Sequence, residues 1–211
     1  NDDFSSKPVN SLDGSANVGN VLANNGDGAD TLNGSSVDID AVNLTVVSPA
    51  TPLTPGATVP VIDPSTGIVS VPSGTPAGTY KIGYSICEEL NPTNCDDAIV
   101  TVVVGTGPIV ANDDIIGNVD GYNGDDNVGN VLTDNGSGSD TLNGVPVLID
   151  EVVISIVTPA TPLVSGAPVP TIDPSTGIIS VPSGTPGGSY EIEYQICEVL
   201  NPTNCDIAKV I

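Results

Sequence analysis

Asparagine, aspartate and glycine are concentrated in two short segments, NNGDGADTLNG at residues 24–34 and DNGSGSDTLNG at residues 134–144. Carboxylate and amide oxygens are the ligands that Ca²⁺ prefers, and the ion takes six to eight oxygens at about 2.3–2.6 Å. The glycines allow the backbone to turn sharply enough to aim carbonyl oxygens inward. We therefore interpret the two segments as candidate calcium loops.

Each loop needs further oxygens, and an acidic pair that opens each half of the chain can supply them. The candidate calcium ligands are Asp2, Asp3, Asn25, Asp27 and Asp30 in the first half, and Asp113, Asp114, Asp134, Asn135 and Asp140 in the second. Between the halves Asp27 becomes Ser137 while Asn24 becomes Asp134, so one carboxylate is lost and another is gained nearby. A site that needs a fixed charge would tolerate this exchange.

Acidic residues beside the cysteines are further candidates for completing these sites. They are Glu88 and Asp96 in the first half and Glu198 and Asp206 in the second, and the alternative for each is a solvated charge. The loops themselves also have an alternative interpretation, an Asn/Gly turn capped by its own side chains. The β-roll nonapeptide, which needs many contiguous copies, and the EF-hand loop, which needs a Glu at its twelfth position, both fit poorly.

The chain is a tandem duplication. From Asn17 onward it matches itself at an offset of 110 residues without a gap, with about two-thirds of the positions identical. The Asn-Asp-Asp triplets at residues 1–3 and 112–114 match at an offset of 111. We place the boundary within residues 108–112 and predict two domains, residues 1–110 and 111–211.

Apolar residues in each domain recur with a period of two, which indicates β-strands. In the first half Tyr80, Ile82, Tyr84 and Ile86 alternate with polar or small residues, and Ala98, Val100, Val102 and Val104 continue the pattern after a loop. Further strands are predicted in NVGNVL, VDIDAVNLTVV, TVPVID and IVSVP. About seven short strands in about 100 residues predict an all-β chain of two immunoglobulin-like, antiparallel β-sandwich domains.

The four cysteines form two pairs, Cys87 with Cys95 and Cys197 with Cys205, with seven residues between partners. This spacing does not match zinc knuckles, and the chain has no His to complete a zinc site. A disulfide in each pair is the better interpretation, and it would clamp the ends of a hairpin connection. Oxidised cysteines indicate an extracytoplasmic compartment.

The charge excludes several functions. With 26 acidic and 3 basic residues, the net charge of -23 leaves nothing to neutralise nucleic acid or to dock on anionic lipid. The sequence has no apolar run of the roughly 20 residues that span a bilayer. We predict no enzymatic activity, because His is absent, Lys is scarce and the thiols are expected to be oxidised.

The order of these motifs resembles the cadherin-like or immunoglobulin-like tandem repeats of large bacterial surface adhesins. The matching elements are Asn-Asp-Asp at residues 112–114, Gly-Asn-Val-Leu at residues 129–132, the loop ending in Asp-Thr-Leu at residues 140–142, and the hairpin from Tyr190 onward. The segments IDPSTGIVSVPSGTPAGTY and ICEELNPTNCD resemble repeats of secreted Bacteroidetes adhesion proteins. The run of alternating aspartates that is usual in the loop is thinner here.

The resemblance implies a rod of stacked domains on the bacterial cell surface, stiffened by calcium. Because the sequence starts without Met, we expect it to be an internal fragment of a longer chain with neighbouring repeats. We therefore expect a structural spacer within a large calcium-dependent adhesin. The alternative is an adhesion module that itself contacts carbohydrate, ice or another cell. Near-identical copies favour the spacer, because a ligand-binding domain usually differs from its neighbours at its recognition surface.

Overall fold

The computed structural model describes residues 3–4, 7–26 and 28–211, with only the main chain described at residues 3 and 4. The chain divides into two compact units, unit 1 at Asn1–Gly107 and unit 2 at Pro108–Ile211. A 3₁₀ helix at Ile39–Ala41 is the only helix among the described residues. None of the described helices is long and apolar enough to cross a membrane.

The described residues of unit 1 form ten strands. They are β1 (Asp3–Phe4), β2 (Val9–Asn10), β3 (Ser15–Asn20), β4 (Thr31–Leu32), β5 (Ser35–Ser36), β6 (Val42–Ser48), β7 (Val61–Ile62), β8 (Ile68–Val71), β9 (Gly78–Glu88) and β10 (Cys95–Gly105). One sheet has the order β1-β10-β9-β6, with β2 also on β10, and a second has the order β3-β8-β7. The short pair β4-β5 stands apart from both.

Unit 2 repeats this arrangement. Its strands are β11 (Ile109–Val110), β12 (Asp125–Asn130), β13 (Thr141–Leu142), β14 (Val145–Pro146), β15 (Val152–Thr158), β16 (Thr171–Ile172), β17 (Ile178–Val181), β18 (Ile192–Glu198) and β19 (Cys205–Val210). The sheets have the orders β15-β18-β19, β12-β17-β16 and β11-β13-β14. In both units the division of the strands between two facing sheets is that of an immunoglobulin-like sandwich.

The core lies between the two main sheets and follows the predicted alternation. Tyr80, Ile82 and Tyr84 on β9 are at most 2% exposed, and they pack with Val69 and Val71 from the facing sheet. The inward residues of β10 predicted from the sequence, Ala98, Val100, Val102 and Val104, are all buried. The prediction of an all-β chain with sandwich domains is therefore confirmed.

The opening residues of each unit do not follow the antiparallel pairing of the other strands. Strands β1 and β2 both pair in parallel with β10, Asp3 opposite Val100 and Val9 opposite Val104. In unit 2 Asp114 forms an isolated parallel bridge with Val210. The first and last segments of a unit therefore run side by side in the same direction, and in unit 2 this pairing brings Asp114 into the core.

Both predicted disulfides are present, Cys87 with Cys95 and Cys197 with Cys205. Each joins residues directly opposite each other at the end of a hairpin, β9 with β10 and β18 with β19. Within the unit 2 hairpin Glu198 is 1% exposed and accepts hydrogen bonds of 2.7 Å from the side-chain amides of Asn201 and Asn204. Glu198 therefore organises the hairpin loop, which corrects its interpretation as a solvated charge.

Replacing Cys197 and Cys205 with serine should destabilise unit 2. On the chain-entropy model a loop of this size gains roughly 2–3 kcal/mol from its disulfide, which corresponds to a fall in Tm of roughly 10 °C or more for a domain of about 100 residues. Calorimetry of the full chain measures this, and the matched variant with Cys87→Ser and Cys95→Ser should move the unit 1 transition instead. Equal transitions in all three proteins would contradict a stabilising role.

Candidate functional site

The opening segment of unit 2 is held against its last strand by main-chain hydrogen bonds. The Asp114 amide donates to the Lys209 carbonyl at 2.7 Å, and the Ile211 amide donates to the Asp114 carbonyl at 3.0 Å. Successive residues of an extended chain point to opposite faces, so Asp113 is exposed while Asp114 is 1% exposed. Asp113 Oδ1 accepts the Lys209 amide at 2.9 Å, and Asp114 turns toward the core.

The candidate loop of unit 2 is shaped by two of its predicted calcium ligands. Asp134 is exposed, and its Oδ1 accepts the amides of Gly136 at 2.9 Å and Gly138 at 3.1 Å. Both glycines have positive φ, 120° and 100°, which other residues rarely adopt. Asn135 directs Nδ2, not its oxygen, to Asp114 Oδ1 at 2.9 Å. Asp134 therefore caps the turn, and Asn135 ties the loop to the opening segment.

Asp140, at the end of the loop, is 0% exposed. Its Oδ1 accepts the Asn112 amide at 2.7 Å, and Asn112 Nδ2 donates to the Ser139 carbonyl at 2.8 Å. Asp206 on β19 accepts the Ala111 amide at 2.9 Å and adds a third acidic group close enough to raise the pKa of Asp140. The opening segment is thus fastened to both the loop and the last strand.

Tyr194, on β18, brings the two buried aspartates together. Its hydroxyl lies 3.1 Å from Asp114 Oδ2 and 3.2 Å from Asp140 Oδ2. The main-chain oxygens of Val131 and Asn112 lie 3.1 and 3.3 Å from the same hydroxyl. A hydroxyl has one proton to donate, so four acceptor oxygens compete for a single hydrogen. We refer to Asp114, Asp140 and Tyr194 as the aspartate cluster.

The aspartate cluster carries negative charge in a buried place. Burial is the largest cause that raises the pKa of Asp114 to about 6 and that of Asp140 to about 7. Repulsion from Asp113 adds to the first shift, and repulsion from Asp114 and Asp206 adds to the second. Burial is also the largest cause that raises the pKa of Tyr194 above its ordinary value, and the negative charges of the two carboxylates raise it further. At neutral pH the cluster therefore needs a proton or a cation to offset its charge.

The ammonium group of Lys209 does not supply this charge. Its main chain passes the cluster, but Nζ bonds Glu191 at 2.7 Å on the exposed face of the sheet. The exposed loop residue Asp134 behaves in the opposite way to the buried pair, because hydrogen bonds from Gly136 and Gly138 lower its pKa. Ionisation is therefore easy at the surface of the loop and costly beneath it.

The described residues of unit 1 make the same contacts as their counterparts around Asp140, Tyr194 and the loop of unit 2. Asp30 is 3% exposed and Tyr84 is 0% exposed, and the Tyr84 hydroxyl lies 3.2 Å from Asp30 Oδ2 and 3.2 Å from the Val21 carbonyl. Asn25 Nδ2 bonds the Asn20 carbonyl at 2.6 Å, as Asn135 Nδ2 bonds Asn130. Asn24 Oδ1 accepts from two glycine amides in the position of Asp134.

Some predicted ligands of unit 1 cannot be placed. Asp2 and Asp27, and the side chain of Asp3, lie outside the described residues. Among the other acidic candidates of this unit, Asp96 is exposed on β10 and Glu88 accepts the side-chain amide of Asn94 at 3.1 Å. The geometry of the candidate site therefore rests on unit 2.

The structure separates the predicted ligands of unit 2 into two groups. Asp114, Asn135 and Asp140 come together, whereas the side chains of Asp113 and Asp134 are engaged by main-chain amides away from the pair. The sequence interpretation missed Tyr194, because it assigned the matching residue of the first half, Tyr84, to the apolar face of a strand. A signal was present, because a tyrosine in the middle of a buried face needs a partner for its hydroxyl.

The chemistry of the donor set fits a hard cation. The atoms that converge on the Tyr194 hydroxyl are all oxygens, two from carboxylates and two from the main chain, and Ca²⁺ is bound by oxygens of these two kinds. Within the described part of the chain, however, no group of three or more His, Cys, Asp or Glu side chains is arranged to hold a metal. A calcium ion here would depend on main-chain oxygens and water beside the two carboxylates. Calcium binding therefore stays a prediction.

Comparison with known proteins adds little to this description. No protein-family profile and no curated protein match the chain. Among solved structures, it is similar to the extracellular domain of protocadherin GammaB4 (TM-score 0.35, 9% identity, 100% of this chain and 33% of the other) and to human CDH23 EC21-23 (0.33, 16%, 97% and 70%). A third is BT4661, a SusE-like surface-located polysaccharide-binding protein from the heparin utilisation locus of Bacteroides thetaiotaomicron (0.26, 14%, 81% and 28%).

These similarities are distant. The chain spans about a third of the protocadherin GammaB4 chain that it matches, and all three TM-scores are 0.35 or lower. The fold is accordingly defined by the strand order of the chain itself, two facing sheets with the first and last segments in parallel.

Proposed function

We propose that the chain is a pair of spacer repeats from an extracellular adhesion protein, in which calcium stiffens unit 2 at the aspartate cluster and unit 1 at the corresponding place. One observation carries the proposal: two fully buried carboxylates share one hydroxyl donor, and the ammonium group of Lys209, whose main chain passes beside them, is bonded to Glu191 instead. Burying two such groups without a counter-charge is costly. A bound divalent cation offsets that cost and makes the fastening of the opening segment conditional on calcium.

The division of labour within the site follows from the contacts. Asp114 belongs to the opening segment, Asp140 to the loop, and Tyr194 to the central strand of a sheet. When bound, calcium would supply positive charge among these oxygens. The chain's own residues set the position of these carboxylates. Asn135 Nδ2 orients Asp114 by donating to Asp114 Oδ1, and the Asn112 amide orients Asp140 by donating to Asp140 Oδ1. A cation there would join three separate elements of one unit.

Other features support an extracellular structural role. The two disulfides indicate an oxidising compartment, and the sequence has no His while its thiols are oxidised, so two common catalytic groups are missing. The two units are alike along their strands and loops, as expected of repeats that extend a chain. The resemblance to bacterial surface adhesins leads us to place the protein on a bacterial cell surface, joined to further repeats of a longer chain.

Calcium should raise the Tm of the full chain at pH 7.5 relative to EDTA. A free calcium concentration about 100 times the Kd would increase the free energy of unfolding by about 2.7 kcal/mol. Calorimetry measures the shift, and small-angle scattering should show a more extended particle with calcium. Magnesium, which demands six ligands in near-ideal octahedral geometry, is the control and should have a smaller effect. If EDTA leaves both the melting curve and the scattering profile unchanged, the calcium-stiffened spacer is wrong.

A further inference from the structure

One outer face of unit 2 has lost polar side chains that unit 1 keeps. At the repeat offset of 110, four exposed residues of unit 1, Asp38, Asn43, Glu89 and Asp97, are replaced in unit 2 by Leu148, Val153, Val199 and Ile207. These four aliphatic side chains are 47–62% exposed. Exposed apolar residues that are scattered singly need no explanation, whereas a contiguous group of them marks a contact surface.

Strand pairing brings three of these aliphatic residues together. Val153 on β15 lies opposite Cys197 on β18, which lies opposite Cys205 on β19. Because alternate residues of a strand share a face, Val199 and Ile207 lie on the same face as this row, on either side of the disulfide. The face is the outer one, because the neighbours along these strands include the buried residues Val152, Ile154, Ile196, Glu198 and Ala208.

Leu148 is held beside this group by Glu151. The Val199 amide donates to the Glu151 carbonyl at 2.9 Å, so the pairing of the two strands continues past Glu198. The Glu151 amide donates to the Leu148 carbonyl at 3.0 Å, and Glu151 Oε2 accepts the Leu148 amide at 2.8 Å. We refer to these residues as the outer patch: Leu148, Val153, Val199, Ile207 and the Cys197–Cys205 disulfide.

The lost carboxylates indicate the charge of the partner. A basic partner would bind Asp38, Glu89 and Asp97 better than the aliphatic residues in their places. An acidic partner is repelled by carboxylates, so their replacement favours it. The chain itself carries a net charge of -23. A second copy of the chain is therefore a partner that this exchange favours.

Unit 2 also gains acidic residues on this face, and each of them has a hydrogen-bond partner. They are Glu151, bonded to the Leu148 amide, Glu191, bonded to Lys209 at 2.7 Å, and Glu193, bonded to the Thr158 hydroxyl at 3.1 Å. None of the three replaces an aliphatic residue of the outer patch. The centre of the patch therefore stays apolar.

We infer that the outer patch of unit 2 binds the outer patch of a second copy of this chain and so forms a twofold dimer. A twofold contact uses the same surface on both sides, so a patch that has lost its carboxylates suits two chains that otherwise repel each other. The contact removes the aliphatic side chains of both copies from water. This inference goes beyond the spacer role and does not depend on calcium.

Sedimentation velocity of the full chain in EDTA tests for the dimer. A contact of this size is weak, so we expect the dimer fraction to rise between about 10 µM and about 1 mM. Raising the NaCl concentration from about 50 mM to about 500 mM should strengthen the association, because salt screens the repulsion between the two acidic chains.

The variant that carries Leu148→Asp, Val153→Asn, Val199→Glu and Ile207→Asp gives the outer patch the residues of unit 1, which folds with them. We expect its association constant to fall at least about tenfold, because apolar contact is lost and carboxylates meet. The matched control adds the same charge at the other end of β18, where Leu163 lies against Gly188. It carries three exposed substitutions, Thr161→Asp, Val164→Asp and Ser165→Asp, and should dimerise like the parent chain.

Methyl signals in NMR spectra locate the contact in the parent chain, without any substitution. Those of Val153, Val199 and Ile207 should shift as the concentration rises. Those of Val47 and Leu53, which are 58% and 52% exposed in unit 1, should stay in place.

A chain that stays monomeric up to about 1 mM would overturn the inference. So would a dimer that persists with the residues of unit 1 in the patch, or one that the control abolishes. Concentration-dependent methyl shifts outside the outer patch would place the contact on another surface and refute it. A dimer that weakens as salt is added would show that opposite charges hold it, which also contradicts an apolar contact between like-charged chains.

Discussion

In EDTA, unit 2 should become less stable as the pH rises from 5 to 8. The pKa of Asp114 is raised to about 6 and that of Asp140 to about 7, from 3.8 for an ordinary aspartate, chiefly because both groups are buried. A pKa that is higher in the folded state means that folding favours the protonated carboxyl. The stabilisation is fully present below the unfolded-state pKa of 3.8 and is lost as the pH passes through 6 and 7.

The effect should be large. Each of the two shifts is worth on the order of 3 kcal/mol once the carboxyls are ionised, and a domain of about 100 residues loses roughly 4–8 °C per kcal/mol. We therefore expect the Tm of unit 2 in EDTA to fall by more than about 10 °C between pH 5 and pH 8. Calorimetry of the full chain across this range, with amide signals of unit 2 to assign the transition, measures it.

The other acidic groups of unit 2 with a bearing on this effect either strengthen the loss of stability or affect stability only below pH 5. Asp113 and Asp206 repel the buried pair and so strengthen the effect. The exposed Asp134 and Asp173 have pKa values lowered by hydrogen bonds, so the stability they contribute is lost only at more acidic pH. A Tm that is flat or rises from pH 5 to pH 8 in EDTA would contradict the buried charge that we assign to the cluster.

Calcium should reverse the loss at pH 8 and have little effect at pH 5, because protons and the cation compete for the same carboxylate oxygens. This comparison separates two ways of neutralising the cluster. A pH-dependent Tm with no calcium response would leave the proton as the neutralising group and would refute calcium binding at this site. A calcium response that is equal at both pH values would place the ion elsewhere on the acidic surface.

Replacing Asp140 with asparagine should remove most of this pH dependence and the calcium response together. Asparagine has nearly the same shape, its oxygen can still accept the Asn112 amide, and its amide group can donate toward Tyr194. The variant keeps the fastening of the opening segment but loses one of two buried charges. At pH 8 in EDTA we expect it to be more stable than the parent chain by on the order of 2–3 kcal/mol.

The matched control is Asp126→Asn, which removes the same charge from an exposed position on β12. It should keep the pH profile and the calcium response of the parent chain. If Asp140→Asn retains both, or if Asp126→Asn loses them, then the response arises from overall charge and not from the aspartate cluster. Scans of the three proteins at pH 5 and pH 8, with calcium and with EDTA, give the complete comparison.

Much of the fold could be predicted because local patterns determine it. Alternation along residues 80–86 and 98–104 identified two strands that supply seven of the fifteen buried residues in the core cluster of unit 1, and the cysteine spacing identified the disulfides at their connection. Duplication strengthened each of these predictions, because the same pattern appears twice. The parallel pairing of the opening segment was not predicted, since only two or three residues form it and its partner lies about 100 residues away.

The candidate site was predicted only in part. Acidic residues at the start of each unit and in the loop pointed to a cluster, and Asp114 and Asp140 do meet. The sequence could not show that Asn135 would offer its nitrogen, that Asp134 would cap a turn, or that Tyr194 would stand between the carboxylates. These outcomes depend on how loop, opening segment and strand pack together, which no local pattern records.

The parallel pairing of β1 and β2 with β10 has a mechanical consequence. Tension applied through the two ends of unit 1 would pull the opening segment and the last strand past each other along their length. Their hydrogen bonds would then be loaded together in shear, whereas an antiparallel terminal pair could be opened from one end, one bond at a time. A unit tied in this way should resist stretching until several bonds fail at once.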